Sequence, residues 1–406
     1  MTPAAHDSSL ASARPRLAWL DALRGIAALA VLAEHLLQAV MPSLRPYWCN
    51  LGIYGVLVFF LVSGYIIPFS LERRGDLRAF WISRAFRLYP LYLAVIVLTL
   101  ALSWWIPVRE AVPRDLTAVA AHLTMLTDVV GVAAVVDPMW TLSYEMVFYL
   151  VAAAMYAAGV HARGGVAALL FAAGAMVAGL VLSGPPMAGD WPVWVSSAGF
   201  AAGLACVLAR RAAMAATCAL GAGAVVLLFV SGRTPWFGAA MLAVMFIGNA
   251  VNRWERGTGR LWPVIPAAVL VAAAPVWAPQ AGWWWVQPSV WITTLTLTAL
   301  TFAAGMALRD RRLPRALAWL GLVSYSLYLT HVPLLKVLVA VAGDLRAASL
   351  PVQAIATVLV TGAVLAVSWA TYRLVEVPAQ RLGRALLSRR EPVVRASAPV
   401  AARPGC

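Results

Sequence analysis

Four ionisable residues lie within one apolar run near the start of the chain. The run reads LDALRGIAALAVLAEH and carries Asp21, Arg24, Glu34 and His35. On a helix, the eleven residues from Arg24 to His35 leave the two side chains roughly 20° out of alignment and about 16 Å apart along the axis. Asp21 falls within about 40° of His35 on the same wheel and is an i,i+3 partner of Arg24. The helix thus carries one polar stripe. Ionisable groups inside a membrane span are expensive and by default mark functional sites. A salt bridge between Asp21 and Arg24 at the helix start is the structural alternative, as is an interhelical hydrogen bond from His35.

Three further clusters could do chemistry. Arg84 and Arg87 stand one helical turn apart in RRGDLRAFWISRAFRLYP, and a guanidinium suits phosphate through its fork of donors. Ordinary anchoring of a loop on the positive side explains the same residues. Glu145 lies in WTLSYEMVFY, about 7–8 Å below the outer end of its helix, where a carboxylate needs a partner. Late in the chain, SYSLYLTHVP places Tyr328 and His331 at i,i+3 before a helix-kinking Pro333. Packing and chemistry explain that segment equally well. His122 and Asp128 could line an outer mouth, whereas His6 and His161 read as solvated.

The elements that must position these groups follow from composition. Of 406 residues, 63% are hydrophobic and 12% charged, with mean hydropathy +0.83. That excludes an ordinary soluble domain and a disordered chain. A spanning helix needs about 20 apolar residues. Twelve stretches qualify, near 17–40, 50–70, 87–106, 140–160, 165–183, 192–209, 213–231, 236–251, 262–278, 287–307, 317–341 and 350–372. The stretch 116–136 holds His122 and Asp128 and is read as not crossing. With that topology, 25 of the 31 Lys and Arg residues fall on one side. The positive-inside rule then puts both termini in the cytoplasm. The net charge of +15 is therefore topological, and no nucleic-acid partner is expected. The fold class is all-α, a polytopic membrane bundle of about 10–12 helices. We expect a disordered arm at 1–15, a membrane domain at 16–380 and a basic tail at 381–406. No cleavable signal peptide, paired cysteine spacing or metal-ligand spacing is seen.

Taken together, the segments resemble the membrane acyltransferase family 3, integral membrane O-acyltransferases that modify surface polysaccharides, peptidoglycan, Nod factors and some macrolides. Arg24 followed by ten residues and His35 is similar to that family's R-x10-H signature. VFFLVSGYI at 58–66, RAFRLYP at 84–90 and WTLSYEMVFY at 140–149 resemble further blocks in family order, with Thr141 where Ser is commoner. GLVSYSLYLTHVP at 321–333 and YRLVEVP at 372–378 complete the series. The resemblance covers residues 17–378. It implies a ten-helix core, so one pair of the twelve stretches is accessory or one is overcounted. Many relatives also carry a C-terminal SGNH hydrolase-like domain, which this sequence lacks.

The resemblance implies transfer of an acyl group, most often acetyl, from cytoplasmic acetyl-CoA to a hydroxyl, with no metal. The acceptor would be a glycan or glycolipid met at a bacterial inner membrane, with membrane lipid as the surrounding partner. On that footing Arg84 and Arg87 hold the CoA phosphates. His35 is a general base or a transient acyl carrier. Glu145 orients or protonates the imidazole. Arg24, with Asp21 beside it, fixes the donor or completes the relay. Ser143, Tyr325, Tyr328 and His331 are candidate substrate contacts. A proton-coupled transporter would explain the same buried charges, although no internal repeat is visible.

Overall fold

The computed structural model describes residues 15–107 and 112–388. The expected arm, apart from residue 15, and tail residues 389–406 lie outside these. The described residues form fourteen α-helices and no strand. In order they are α1 (Pro15–Val40), α2 (Leu51–Arg74), α3 (Leu77–Leu102), α4 (Leu116–Thr124), α5 (Trp140–Ala157), α6 (Gly164–Val181) and α7 (Trp191–Leu208). Then come α8 (Ala213–Val230), α9 (Pro235–Glu255), α10 (Val264–Ala272), α11 (Pro288–Ala307), α12 (Arg315–Ala342), α13 (Leu350–Thr371) and α14 (Val377–Ser388).

Among the described residues, ten helical runs are long and apolar enough to cross a membrane. Ten lies within the expected 10–12, and two of the twelve apolar stretches are not regular spans. The stretch 262–278 holds only the nine-residue α10, about 14 Å long. It breaks into the 3-10 turns Ala274–Val276 and Ala278–Ala281, each with a proline as its second residue, because proline supplies no amide hydrogen to extend a helix. The other exception is α5, which has eighteen residues but includes Ser143, Glu145 and three tyrosines. Twelve of those eighteen are buried, so protein rather than lipid surrounds most of it. Helix α4 has nine residues and is too short to cross.

The third span also starts ten residues earlier than the expected 87. Gly75 closes α2 in the left-handed region, at φ 68°. Asp76 then caps α3 by accepting from the amides of Arg78 and Ala79 at 2.8 and 3.2 Å. Such caps satisfy donors that a helix start leaves unpaired. Consequently Arg84 and Arg87 lie in the second and third turns of α3, not at its mouth. At the far end, a π-helical turn at Tyr372–Glu376 joins α13 to α14, and helix continues to Ser388.

The bundle has two polar ends. At one, Glu72 pairs with Arg253 at 2.7 Å and Asp76 with Arg210 at 3.1 Å. At the other, Glu34 pairs with Arg45, and Asp128 lies 3.9 Å from Arg233. Between them α1 packs along α2 and α12, and α2 packs along α9. Glycine permits these approaches. A Cβ on Gly321 would collide with the Asp21 carbonyl, and one on Gly64 with the Met245 carbonyl. Small residues at crossings let backbones meet where the hydrophobic effect between helices is absent. We predict that Gly64→Ala costs about 1–3 kcal/mol through overpacking. A lowered unfolding midpoint of the protein in detergent checks this, and an unchanged midpoint would refute the crossing.

Candidate functional site

Helices α1, α2, α3, α5 and α12 line a small, partly open cavity of about 70 Å³. Its polar wall is formed by Arg24, Ser63, Arg87, Glu145, Tyr325 and Tyr328. Arg24 comes from the α1 stripe and makes an ion pair with Asp21 at 3.6 Å. Arg24 also lies within electrostatic reach of Arg87, Glu145 and Arg84. Glu145 accepts from the Ser63 hydroxyl at 3.3 Å and from the Tyr149 hydroxyl. The Arg84 guanidinium lies against the Tyr149 and Phe80 rings, at 5.7 and 5.8 Å. Its Nε is buried without a hydrogen-bond partner. Arg24 and Arg87 thus line the cavity together with Glu145, with Arg84 packed on the Tyr149 ring behind them, and the two cavity guanidinium groups can hold an anionic group.

The tyrosines are anchored. Tyr325 donates to the Leu88 carbonyl at 2.8 Å, which ties α12 to α3 beside Arg87. Tyr328 donates to the Pro138 carbonyl at 2.9 Å and lies 2.8 Å from the Thr141 hydroxyl. Behind Tyr328 stands His331, with ring centroids 6.0 Å apart. His331 in turn meets His35 edge-on at 4.9 Å. His35 itself is not on the cavity wall; it stands about 16 Å along α1 from Arg24, two rings beyond the wall.

Both histidines are oriented by their own helices. His35 Nδ1 is 2.9 Å from the Val31 carbonyl, and His331 Nδ1 is 3.1 Å from that of Leu327. A carbonyl only accepts, so Nδ1 carries the proton in each contact, and in the neutral ring Nε2 is the basic atom. His331 Nε2 is buried with no partner. His122 shows the contrasting case. Its Nδ1 donates to the Ala118 carbonyl at 2.7 Å, while Nε2 accepts from the Val135 amide at 3.1 Å. Both nitrogens are spent on backbone, so His122 ties α4 to the segment before α5.

The remaining residues separate. Ser143 is fully buried on another face of α5. It bonds the Asp128 amide and the Thr127 hydroxyl, both at 3.1 Å, and pins the 125–129 turn. Three further polar groups belong to the site although residue type and spacing do not single them out. Ser63 and Tyr149 flank Glu145, and Glu376 accepts from Ser326 beneath the tyrosines. Each falls inside a quoted motif, but a motif does not say which of its side chains faces a neighbour. Glu34, on the α1 stripe, accepts from Arg45 Nε at 2.9 Å and from the Leu51 amide at 3.1 Å. It thereby fastens the loop after α1 to the start of α2.

Residues 17–373 match the model of a family described as an acyltransferase domain. Over 150 residues the chain is 33% identical to the acyltransferase MdmB of Streptomyces mycarofaciens, a match covering 33% of this chain and 38% of that protein. Over 151 residues it is 28% identical to the peptidoglycan O-acetyltransferase OatA of Listeria monocytogenes, covering 32% of this chain and 23% of that one. No solved structure gives a significant match.

Burial holds the His122 imidazole below its ordinary pKa of 6.5. The unfolded chain therefore binds a proton that the folded chain refuses. The stability this contact provides is complete above pH 6.5 and is lost as pH falls below it. We predict that His122→Asn lowers the unfolding midpoint at pH 7.5 and flattens its decline towards pH 5. A variant retaining the wild-type acid slope would exclude His122 as the source.

Proposed function

The chain belongs to the membrane acyltransferase family 3, and from that premise we propose that it moves an acetyl group from cytoplasmic acetyl-CoA to a hydroxyl of a glycan, glycolipid or glycosylated acceptor at a bacterial inner membrane. One observation supports this reading above the others. Arg24 and Arg87 line the cavity with Arg84 behind them on the Tyr149 ring, and an imidazole with an oriented Nε2 stands about 16 Å further along α1. A CoA thioester has that polarity, with phosphates at one end of an extended arm and a reactive carbonyl at the other.

The arginines grip the phosphates through charge-assisted hydrogen bonds. His35 Nε2 takes the proton of the acceptor hydroxyl. The hydroxyl oxygen attacks the thioester carbonyl, the carbon–sulfur bond breaks, and the leaving thiolate takes a proton. The Nδ1–H bond to Val31 keeps the imidazole in the tautomer this step needs. His331 stacks edge-on against it and fixes its plane. Glu145, held by Ser63 and Tyr149, balances the arginines and keeps their forks apart for the ligand.

Loss of a general base costs about 10²–10⁴ in rate. His35→Ala should lower acceptor-dependent CoA release from acetyl-CoA by that factor, with membrane insertion intact; wild-type turnover would refute the assignment. Arg84→Ala and Arg87→Ala should each raise the KM for acetyl-CoA roughly tenfold, the size of one charge-assisted bond. An unchanged donor KM would make them topology anchors only.

A further inference from the structure

A basic pocket of about 170 Å³ lies where α9 ends and α6 begins. It shares no residue with the cavity described above. Arg163, Arg253 and Arg260 line it beside Trp262 and Pro263, and no carboxylate does. The positive-inside rule assigns this end of the bundle to the cytoplasmic surface. Three segments build the pocket. After α9 the chain turns through Gly257 at φ 69°. The Thr258 amide and hydroxyl then both donate to the Arg253 carbonyl, at 2.8 and 3.2 Å, and fold the loop back on α9. Two glycines open α6. A Cβ on Gly164 would collide with the Asn249 side chain of α9, and one on Gly165 would meet the Pro263 ring at 3.2 Å. Their absence lets α6, α9 and the start of α10 close around one space.

The charge there is not balanced. Arg253 is only 7% exposed. Its Nη1 donates to Glu72 at 2.7 Å, while its Nε is buried without a hydrogen-bond partner. Glu72 is shared with Arg256, at 3.7 Å, so one carboxylate serves two guanidinium groups. Arg163 and Arg260 are exposed and have no acidic partner among the described residues. Away from the pocket the surface turns apolar. Val166 and Leu170 on α6, and Ile265 and Val269 on α10, are exposed. Each pair is spaced i,i+4 and forms a strip along its helix. The two helices pack side by side, and α6 is long and apolar enough to cross the membrane. Trp262, 60% exposed at the pocket, has the interfacial place that tryptophan favours.

We propose that this pocket binds the phosphate of an anionic glycerophospholipid, whose acyl chains lie along the α6 and α10 strips. The proposal does not depend on the acyl-transfer reading. Guanidinium forks match phosphate oxygens, and basic pockets between spanning helices at the cytoplasmic face suit anionic headgroups. A free phosphate would use the arginines alone, whereas a lipid also covers the exposed strips. It would also brace α10, whose nine residues reach about 14 Å and cannot cross unaided.

The test uses the full chain, delipidated in detergent, with dioleoyl phosphatidylglycerol and dioleoyl phosphatidylcholine titrated separately under native mass spectrometry. One phosphatidylglycerol should be retained at least tenfold more tightly than phosphatidylcholine. Arg163→Gln with Arg260→Gln should weaken phosphatidylglycerol about thirtyfold, and each single substitution about fivefold, the sizes expected for two and for one basic group at an anionic lipid. An unfolding midpoint equal to wild type in phosphatidylcholine shows that each variant folds. Arg311→Gln with Arg312→Gln, exposed at the same end, should leave the affinity unchanged. Inorganic phosphate at the lipid's concentration should not raise the wild-type midpoint as phosphatidylglycerol does. Equal affinity for the two lipids, unchanged affinity in the pocket variants or an equal loss in the Arg311 and Arg312 variant would overturn the lipid site. Equal stabilisation by inorganic phosphate would also overturn it, leaving a site for free anions.

Discussion

The crossing of α1 and α12 governs the rest of the site. Gly321 lies against the Asp21 carbonyl, and Gly25 against Leu317 and Leu320, so the two helices touch backbone to backbone. From that contact the helices run in the same direction. Ten residues lead from Gly25 to His35, and ten lead from Gly321 to His331. Equal steps carry both imidazoles to the same level, about 15 Å from the crossing, where their rings meet. Tyr325 and Tyr328 are set at intermediate levels by the same register. A side chain at either glycine would push the helices apart and dissolve the histidine contact and the cavity wall together.

Charge inside the bundle is tolerated because it is gathered. A lone arginine or carboxylate facing hydrocarbon costs several kcal/mol. Arg24, Arg87 and Glu145 instead share one cavity, where Arg24 pairs with Asp21 and Glu145 accepts from Ser63 and Tyr149. The early start of α3 makes this possible. A two-residue turn at Gly75 and Asp76 lets helix begin at Leu77, so Arg84 is carried inward to the Tyr149 ring. Had α3 begun at residue 87, the same arginines would sit on a surface loop and serve only to hold topology.

Backbone also orients the imidazoles. His35, His122 and His331 all donate Nδ1–H to the carbonyl four residues earlier. The device is local, but its outcome is not. A neighbouring amide fills His122 Nε2 and makes that residue structural. No such donor reaches His331, which therefore stays available beside His35.

Much of this is legible in the amino-acid sequence. Apolar runs and scarce charge specify a helical membrane bundle, because twenty apolar residues have few other places to go. Helical periodicity places Arg24, Asp21 and His35 on one stripe, and all three hold that relation within α1. Pro275, Pro279 and the Gly75–Asp76 pair are visible as breaks and caps. Hydropathy alone overrides them, and so counts too many spans and makes α3 too short. What tertiary structure decided is azimuth and partnership. Ser143 and Glu145 are two residues apart on one helix, but only Glu145 faces the cavity, since α5 is turned by its packing against α2 and α8. Likewise the pairing of His35 with His331, nearly three hundred residues away, follows from two glycines meeting across helices. A single chain segment carries its own periodicity; only contact with another backbone fixes which way that periodicity points.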